Sequence, residues 1–286
     1  MPYKAGLCPT KAHGPIRSVI VWNTVAFAIA AFLSLRPYAY HLTSVDNLPS
    51  IRATGRLESA ATLIDMAGRL ELSRQRRQRP VRIRVSGADV WLQGQGPLHE
   101  GNISFGDGWG LEDLVERLND LVFFWPGRVD RPNKYGMRHF ESTSWCESPA
   151  LLRVDTAALL KENPTLTPLY CCFNSGSPRC VDGRKSPRGP DTFLPADQFA
   201  RRCSEVAELT FPRGVSLPNC TECGFTPRAL GVDYLSLRRD SNRSSIVRPA
   251  DGRVVRLPRR NPGRRPRPAE YAHTPTRRFS GVFDLR

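Results

Sequence analysis

Three short stretches of this 286-residue chain hold side chains whose types and spacing could do chemistry. The first is Tyr40-His41-Leu42-Thr43, followed by Asn47-Leu48, Ile51 and Gly55-Arg56-Leu57. Here a histidine and a threonine sit on an alternating, strand-like run that leads into a helical one. The second is Phe123-Phe124-Trp125-Pro126-Gly127-Arg128, an apolar strand that ends on an arginine, whose planar fork suits bidentate contact with phosphate oxygens. The third is Val206-Ala207-Glu208-Leu209-Thr210-Phe211, where a carboxylate lies amid apolar residues. A buried carboxylate is uncommon without a partner or a task, whereas an edge-strand glutamate in solvent is the plain alternative. Glu205, three residues earlier, competes for the same role.

Metal chemistry finds little support. The eight cysteines give one pair with ligand spacing, Cys220-Thr221-Glu222-Cys223, and no second such pair to complete a zinc site. No strand-to-helix context favours a redox motif there, and the chain is far above the size that calls for disulfide staples. Adjacent Cys171 and Cys172 read as small hydrophobes in a strand. No metal is expected.

The first stretch resembles the opening motif of DarT-like ADP-ribosyltransferases, in which Tyr-His-x-Thr runs into Asn-Leu-x-x-Ile and Gly-x-Leu. The resemblance implies an α+β fold with a split, mainly antiparallel sheet and flanking helices. It also implies NAD as co-substrate, with His41 on ribose hydroxyls and Thr43 and Asn47 lining the pocket. By the same resemblance Arg128 clamps the NAD phosphates, although Val129 to Tyr135 departs from the family and Arg131 or Arg138 could take that part. Glu208 then matches the catalytic glutamate on a late strand, with Glu205 as the alternative. Tyr135 is a candidate to stack on nicotinamide, while His99, His139 and His273 lie outside the motif.

The elements that must position these groups follow from hydrophobic periodicity. Tyr38 to Thr43 alternates as a strand, Asp46 or Asn47 caps a helix, and Gly55 stops it. Apolar spacing predicts helices over Glu58–Ala67, Leu111–Leu118 and Thr156–Glu162, the last behind an Asp155 cap. Strands are expected at Val81–Val85, Leu121–Trp125, Ala150–Val154, Leu169–Phe173 and Val206–Phe211. Gly94–Gly110, with six glycines in seventeen residues, matches no phosphate-loop spacing and reads as a surface loop. Asn174–Pro195 reads as a long loop, functional or disordered, from which Arg179 and Arg188 could approach an acceptor's phosphates. The run Arg74-Gln75-Arg76-Arg77-Gln78-Arg79 is a phosphate-facing surface or a solvated helix end.

Three segments are expected: a disordered N-terminus (1–15), the folded domain (16–236) and a disordered basic tail (237–286). From Ser236 onward, fourteen Lys/Arg face four Asp/Glu, so most of the +15 net charge lies there. That tail lacks apolar periodicity and either grips nucleic acid through phosphates or serves solubility. The resemblance to DarT-like enzymes implies nucleic acid, DNA before RNA or protein, as the acceptor, and the basic loop and tail agree with it. Val19–Leu35 is seventeen apolar-rich residues, read as a helix packed on the domain rather than a membrane anchor, which makes the expected location cytoplasmic. Two other readings stand beside the transferase: an RNA 2′-phosphotransferase, and a non-catalytic basic module in which His41 and Glu208 share no pocket.

Overall fold

The computed structural model describes residues 27–141, 148–224 and 235–236. Helix α1 (Ile29–Leu35) leads into strand β1 (Tyr38–Ser44), helix α2 (Leu48–Thr54) and the short strand β2 (Arg56–Glu58). Helix α3 (Ala60–Met66) precedes the hairpin of β3 (Val81–Val85) and β4 (Ala88–Leu92), followed by β5 (Ile103–Phe105), α4 (Leu111–Asn119) and β6 (Leu121–Gly127). Next come α5 (Lys134–Glu141), β7 (Pro149–Asp155), α6 (Thr156–Glu162), β8 (Leu169–Cys171), β9 (Ser186–Arg188) and β10 (Leu194–Pro195). Strands β11 (Glu208–Pro212), β12 (Gly214–Ser216), β13 (Glu222–Gly224) and β14 (Leu235–Ser236) complete the order.

Eight strands form one sheet in the order β10-β8-β11-β6-β1-β7-β13-β14, and every adjacent pair is antiparallel. This is a mixed α/β architecture around a large, mainly antiparallel sheet. Strand β6 changes partner along its length. Residues 121–124 pair with β11, whereas Trp125, Pro126 and Gly127 pair with β1. The sheet therefore parts beside Phe123 and Phe124, next to His41.

Local chemistry accounts for the element ends. Asp155 Oδ1 accepts from the Ala158 amide at 2.7 Å, and Ser59 Oγ accepts from Thr62 at 3.1 Å, each satisfying a free amide at a helix start. Gly55 closes α2 at φ 64°, a left-handed conformation that suits a residue without Cβ. The cap before α2 differs from expectation in its bonding. Ser44 accepts from the Asp46 amide to start a short 3-10 turn, and Asn47 holds the N-cap position of α2 without a side-chain cap bond, its side-chain amide being bound to Trp91 and Thr43.

Apolar residues gather in four clusters. Phe32 of α1, Ile51 of α2 and Leu159 of α6 pack with Val122, Phe124, Leu152 and Leu209 of the sheet. Helix α4 covers β6 and β8 through Leu114, Val115, Leu118 and Cys171. Ile64 of α3 meets Ile83, Val85, Val90 and Leu92 of the hairpin, and Tyr40, Leu42, Trp125 and Leu151 form the fourth group.

Two expected loops contain strands. Gly94–Gly110 carries β5, Asn174–Pro195 carries β9 and β10, and β5 pairs in parallel with β9. Leu98, within the first, is fully buried. Neither segment alternates strongly, because each pairs over only three residues, so glycine content dominated the sequence pattern. Of Val19–Leu35, residues 19–26 lie outside the described residues, as do 1–15 and 237–286. Ile29–Leu35 is helical with Phe32 buried, and among the described residues no helix is long and apolar enough to cross a membrane.

Candidate active site

A cavity of about 310 Å³ lies where the four apolar clusters meet. His41, Thr43 and Asn47 line it from β1 and the turn after it, Glu208 from β11, and Trp125 from β6. Helix α5 contributes His139, the Arg74–Arg79 segment contributes Arg77, and the loop after β8 contributes Asn174 and Ser175.

Glu208 is 2% exposed. Its Oε1 accepts from the Ser175 backbone amide at 3.1 Å, while Oε2 is buried with no hydrogen-bond partner. Burial pushes its pKa up to about 7, against the opposing pull of the Ser175 hydrogen bonds and the Arg188 charge. A carboxyl poised near neutrality can exchange a proton with a bound hydroxyl or amine.

His41 hydrogen-bonds through Nδ1 to the Phe123 carbonyl at 2.8 Å, where the sheet parts. Since a carbonyl only accepts, Nδ1 carries the proton and Nε2 keeps its lone pair. The ring is open to the cavity on one side and enclosed by protein elsewhere, and burial lowers its pKa to about 4. It is therefore a neutral acceptor at physiological pH. His139 packs against Trp125 with ring centroids 4.6 Å apart and planes tilted by 37°, and burial, then the nearby His41, lower its pKa to about 4.

Arg77 is 6% exposed, an unusual environment for a guanidinium. Nε donates to the Gln93 carbonyl at 3.1 Å and Nη2 to Asn119 Oδ1 at 2.9 Å, but buried Nη1 has no partner. Its pKa falls to about 10 through burial and remains far above neutrality. The indole Nε1 of Trp125 is likewise buried without a partner. Buried polar atoms are nearly always paired. Three residues that line this cavity, Arg77, Trp125 and Glu208, each carry one such unpaired atom.

The structure thus brings together His41, Thr43, Asn47 and Glu208, though not in equal roles. Asn47 is committed to the fold: Oδ1 accepts from the Trp91 amide at 2.8 Å, and Nδ2 donates to the Trp91 carbonyl and to Thr43 Oγ1. It pins the β3–β4 hairpin to the end of β1. Arg128 does not reach the cavity. It lies in the tight turn after β6, where its amide donates to the Arg131 carbonyl at 2.9 Å, and it lines a separate depression on the far side of α5. Glu205 lies in that same depression, exposed and 3.5 Å from Arg201.

The two loop arginines also part ways. Arg179 is exposed and outside the cavity lining, whereas Arg188 is 3% exposed. Arg188 donates to the Ser175 and Asn174 carbonyls at 3.1 and 3.0 Å and stacks over Phe173. It holds the loop whose Ser175 binds Glu208, so it is spent on structure rather than turned toward an acceptor. Sequence reasoning did not single out Arg77, Trp125 or Ser175, and it set His139 aside. The arginine run at 74–79 was the available signal for Arg77, but nothing in it distinguishes the buried member. Tyr135 lines the depression rather than the cavity, and among the described residues no three His, Cys, Asp or Glu gather as metal ligands.

A large antiparallel sheet thus parts beside a cavity lined by a buried carboxyl, a neutral imidazole and a guanidinium with one unpaired nitrogen. Residues 37–220 match the model of a family of unknown function, DUF7002, and the chain belongs to that family. No curated protein and no solved structure matches it.

Proposed function

We propose that this protein is an NAD-consuming ADP-ribosyltransferase with nucleic acid, DNA before RNA, as acceptor. The observation that carries the reading is the convergence of His41, Arg77, Trp125 and Glu208 on one cavity with unpaired polar atoms. Further support comes from the motif resemblance around His41 and Glu208, and from the parting of the sheet at β6, which suits a transferase-type split sheet.

In this reading Arg77 takes the phosphate role expected of Arg128. Its free Nη1 offers two donors to pyrophosphate oxygens in a water-poor site, where charge-assisted bonds are strong. His41 Nε2 accepts from a ribose hydroxyl, and the tilted Trp125–His139 pair gives an aromatic edge to the site. NAD supplies a nicotinamide leaving group that already carries positive charge, so the glycosidic bond can break through an oxocarbenium-like state without a general acid. Glu208 holds the adjoining ribose hydroxyl, stabilises the developing cation and takes the proton from the acceptor nucleophile. The 2′-phosphotransferase alternative gives a late glutamate no part, and so leaves the burial of Glu208 without a purpose.

Incubation with labelled NAD and single-stranded DNA, RNA or cell protein tests the proposal. Label should move to nucleic acid with the wild type and with Glu205→Gln, and not with Glu208→Gln. Equal transfer by Glu208→Gln, or none by any form, would overturn it.

A further inference from the structure

The depression that holds Arg128 is a second feature with its own chemistry. It encloses about 850 Å³ between the turn after β6, α5 and the segment before β11. Arg36, Arg128, Arg131, Lys134, Arg138 and Arg201 line it, with Glu205 as the one carboxylate among the lining residues. Glu205 is already engaged by Arg201 and by the Arg202 amide. Asp130 lies 3.7 Å from Arg131, so that cation is partly matched. Arg128, Lys134 and Arg138 are exposed. Arg36 has a buried Nε without a partner, and burial together with the nearby Arg128 charge lowers its pKa. Like charges are thus held against one another at a cost that an anion would remove.

The bowl and the cavity share walls. Val206 faces the bowl and Glu208, two residues on, faces the cavity; Cys172 and Asn174 divide in the same way. Helix α5 stands between them, with Arg138 on the bowl and His139 on the cavity. Asn133 fixes that wall: its Oδ1 accepts from the Tyr135 and Gly136 amides, and its Nδ2 donates to the Ala207 carbonyl beside Glu208.

We infer that this bowl is the docking site for the phosphodiester backbone of a single nucleic-acid strand. Five guanidiniums and an ammonium around one concavity match a chain that carries a bidentate anion on every unit. The half-buried ring of Tyr135 packs against the Tyr40–Trp125 group with the Lys134 ammonium 5.2 Å from its centroid, and a base stacking there, the usual companion of backbone contacts to a single strand, would take that ammonium's place. The shared walls let a strand lying in the bowl send one base over α5 toward Glu208. This inference rests on the transferase reading for its purpose, but not for the binding itself.

The test uses the full chain and fluorescence anisotropy with a single-stranded DNA oligonucleotide across a salt series. Arg128→Glu/Arg138→Glu should weaken binding roughly tenfold or more, and should lower the slope of log K against log salt by at least about 1.4, the share of two phosphate contacts on a single strand. The control pair Arg82→Glu/Arg84→Glu, on the exposed side of the β3–β4 hairpin, changes net charge equally and should cost much less. Photo-crosslinking of a bromouracil-substituted strand should map to α5. An equal loss in both pairs, or no loss in the bowl pair, overturns the bowl. Equal competition by poly-glutamate overturns a nucleic-acid partner. If the bowl pair loses binding while the wild type transfers no label, the transferase reading alone has failed.

Discussion

At the scale of single residues, Glu208 is the group whose environment makes the sharpest claims. The folded chain keeps its proton up to about pH 7, whereas an ordinary glutamate releases it near 4.5. Folded protein therefore binds more protons than unfolded across that window, and stability falls as pH rises through it, by about 3 kcal/mol in total. Glu208→Gln removes that loss. Its melting temperature should exceed the wild type's at pH 8 and show no such advantage at pH 5. His41 and His139 act in the opposite direction, because their pKa values are lowered to about 4. The stability they carry is full above about 6.5 and is lost as pH falls toward 4. Both are present in each protein and cancel from the comparison. A melting difference that does not change between pH 5 and pH 8 would place the Glu208 carboxyl in contact with solvent. In the transferase reading, activity should rise with pH around an apparent pKa near 7 as Glu208 ionises.

The sequence made some of this visible. A carboxylate within Val206–Phe211 stood out because its neighbours are apolar, and His41 stood out because it sits on an alternating strand. Burial and pairing of individual arginines were not visible. Arg77 and its neighbours in the 74–79 run have the same chemistry, and only tertiary packing against Gln93 and Asn119 selects the buried one. Arg128 follows an apolar strand as expected, yet the turn beyond Gly127 carries it past α5 and away from the cavity.

At the scale of elements, the cavity wall depends on how closely α5 approaches β6. A Cβ on Gly136 would lie 2.7 Å from Trp125 Cβ, so only glycine permits this contact. Gly136→Ala should displace the Trp125–His139 pair, cost about 1–3 kcal/mol as an overpacked site does, and weaken ligand binding. Gly101→Ala meets nothing within 4 Å and should leave melting and binding nearly unchanged. Thermal melts of the two variants decide the point, and similar losses in both would remove the close approach from the account. Helices with sharp ends were the legible elements, since Asp155 and Gly55 act through local chemistry that sequence carries directly, whereas the Ser59 cap and the start of α3 at Ala60 were not seen. The β5–β9 pair was not legible, because its two strands are more than eighty residues apart and nothing local announces their contact.

At the scale of the whole molecule, the described residues end at Ser236, so residues 243–286 lie outside them. Among the described residues, the four apolar clusters draw on residues up to Cys223. Removing residues 243–286 should therefore leave the melting temperature almost unchanged. It should reduce nucleic-acid affinity and its salt dependence, because the basic excess of the chain lies largely there. Calorimetry and anisotropy on the shortened chain check both, and a large drop in melting temperature would mean that the removed residues belong to the core.

The central claim is that the cavity between His41, Arg77 and Glu208 holds NAD, and calorimetric titration tests it most directly. The wild type should bind NAD and ADP-ribose. His41→Ala and Arg77→Leu should each weaken both, by about 1–3 kcal/mol for the lost contact, or roughly ten- to a hundredfold in affinity. Nicotinamide alone, which lacks the ribose and phosphates, should respond hardly at all to either change. Equal NAD affinity in the wild type and both variants, with their folds intact, would contradict the account and take NAD out of this cavity.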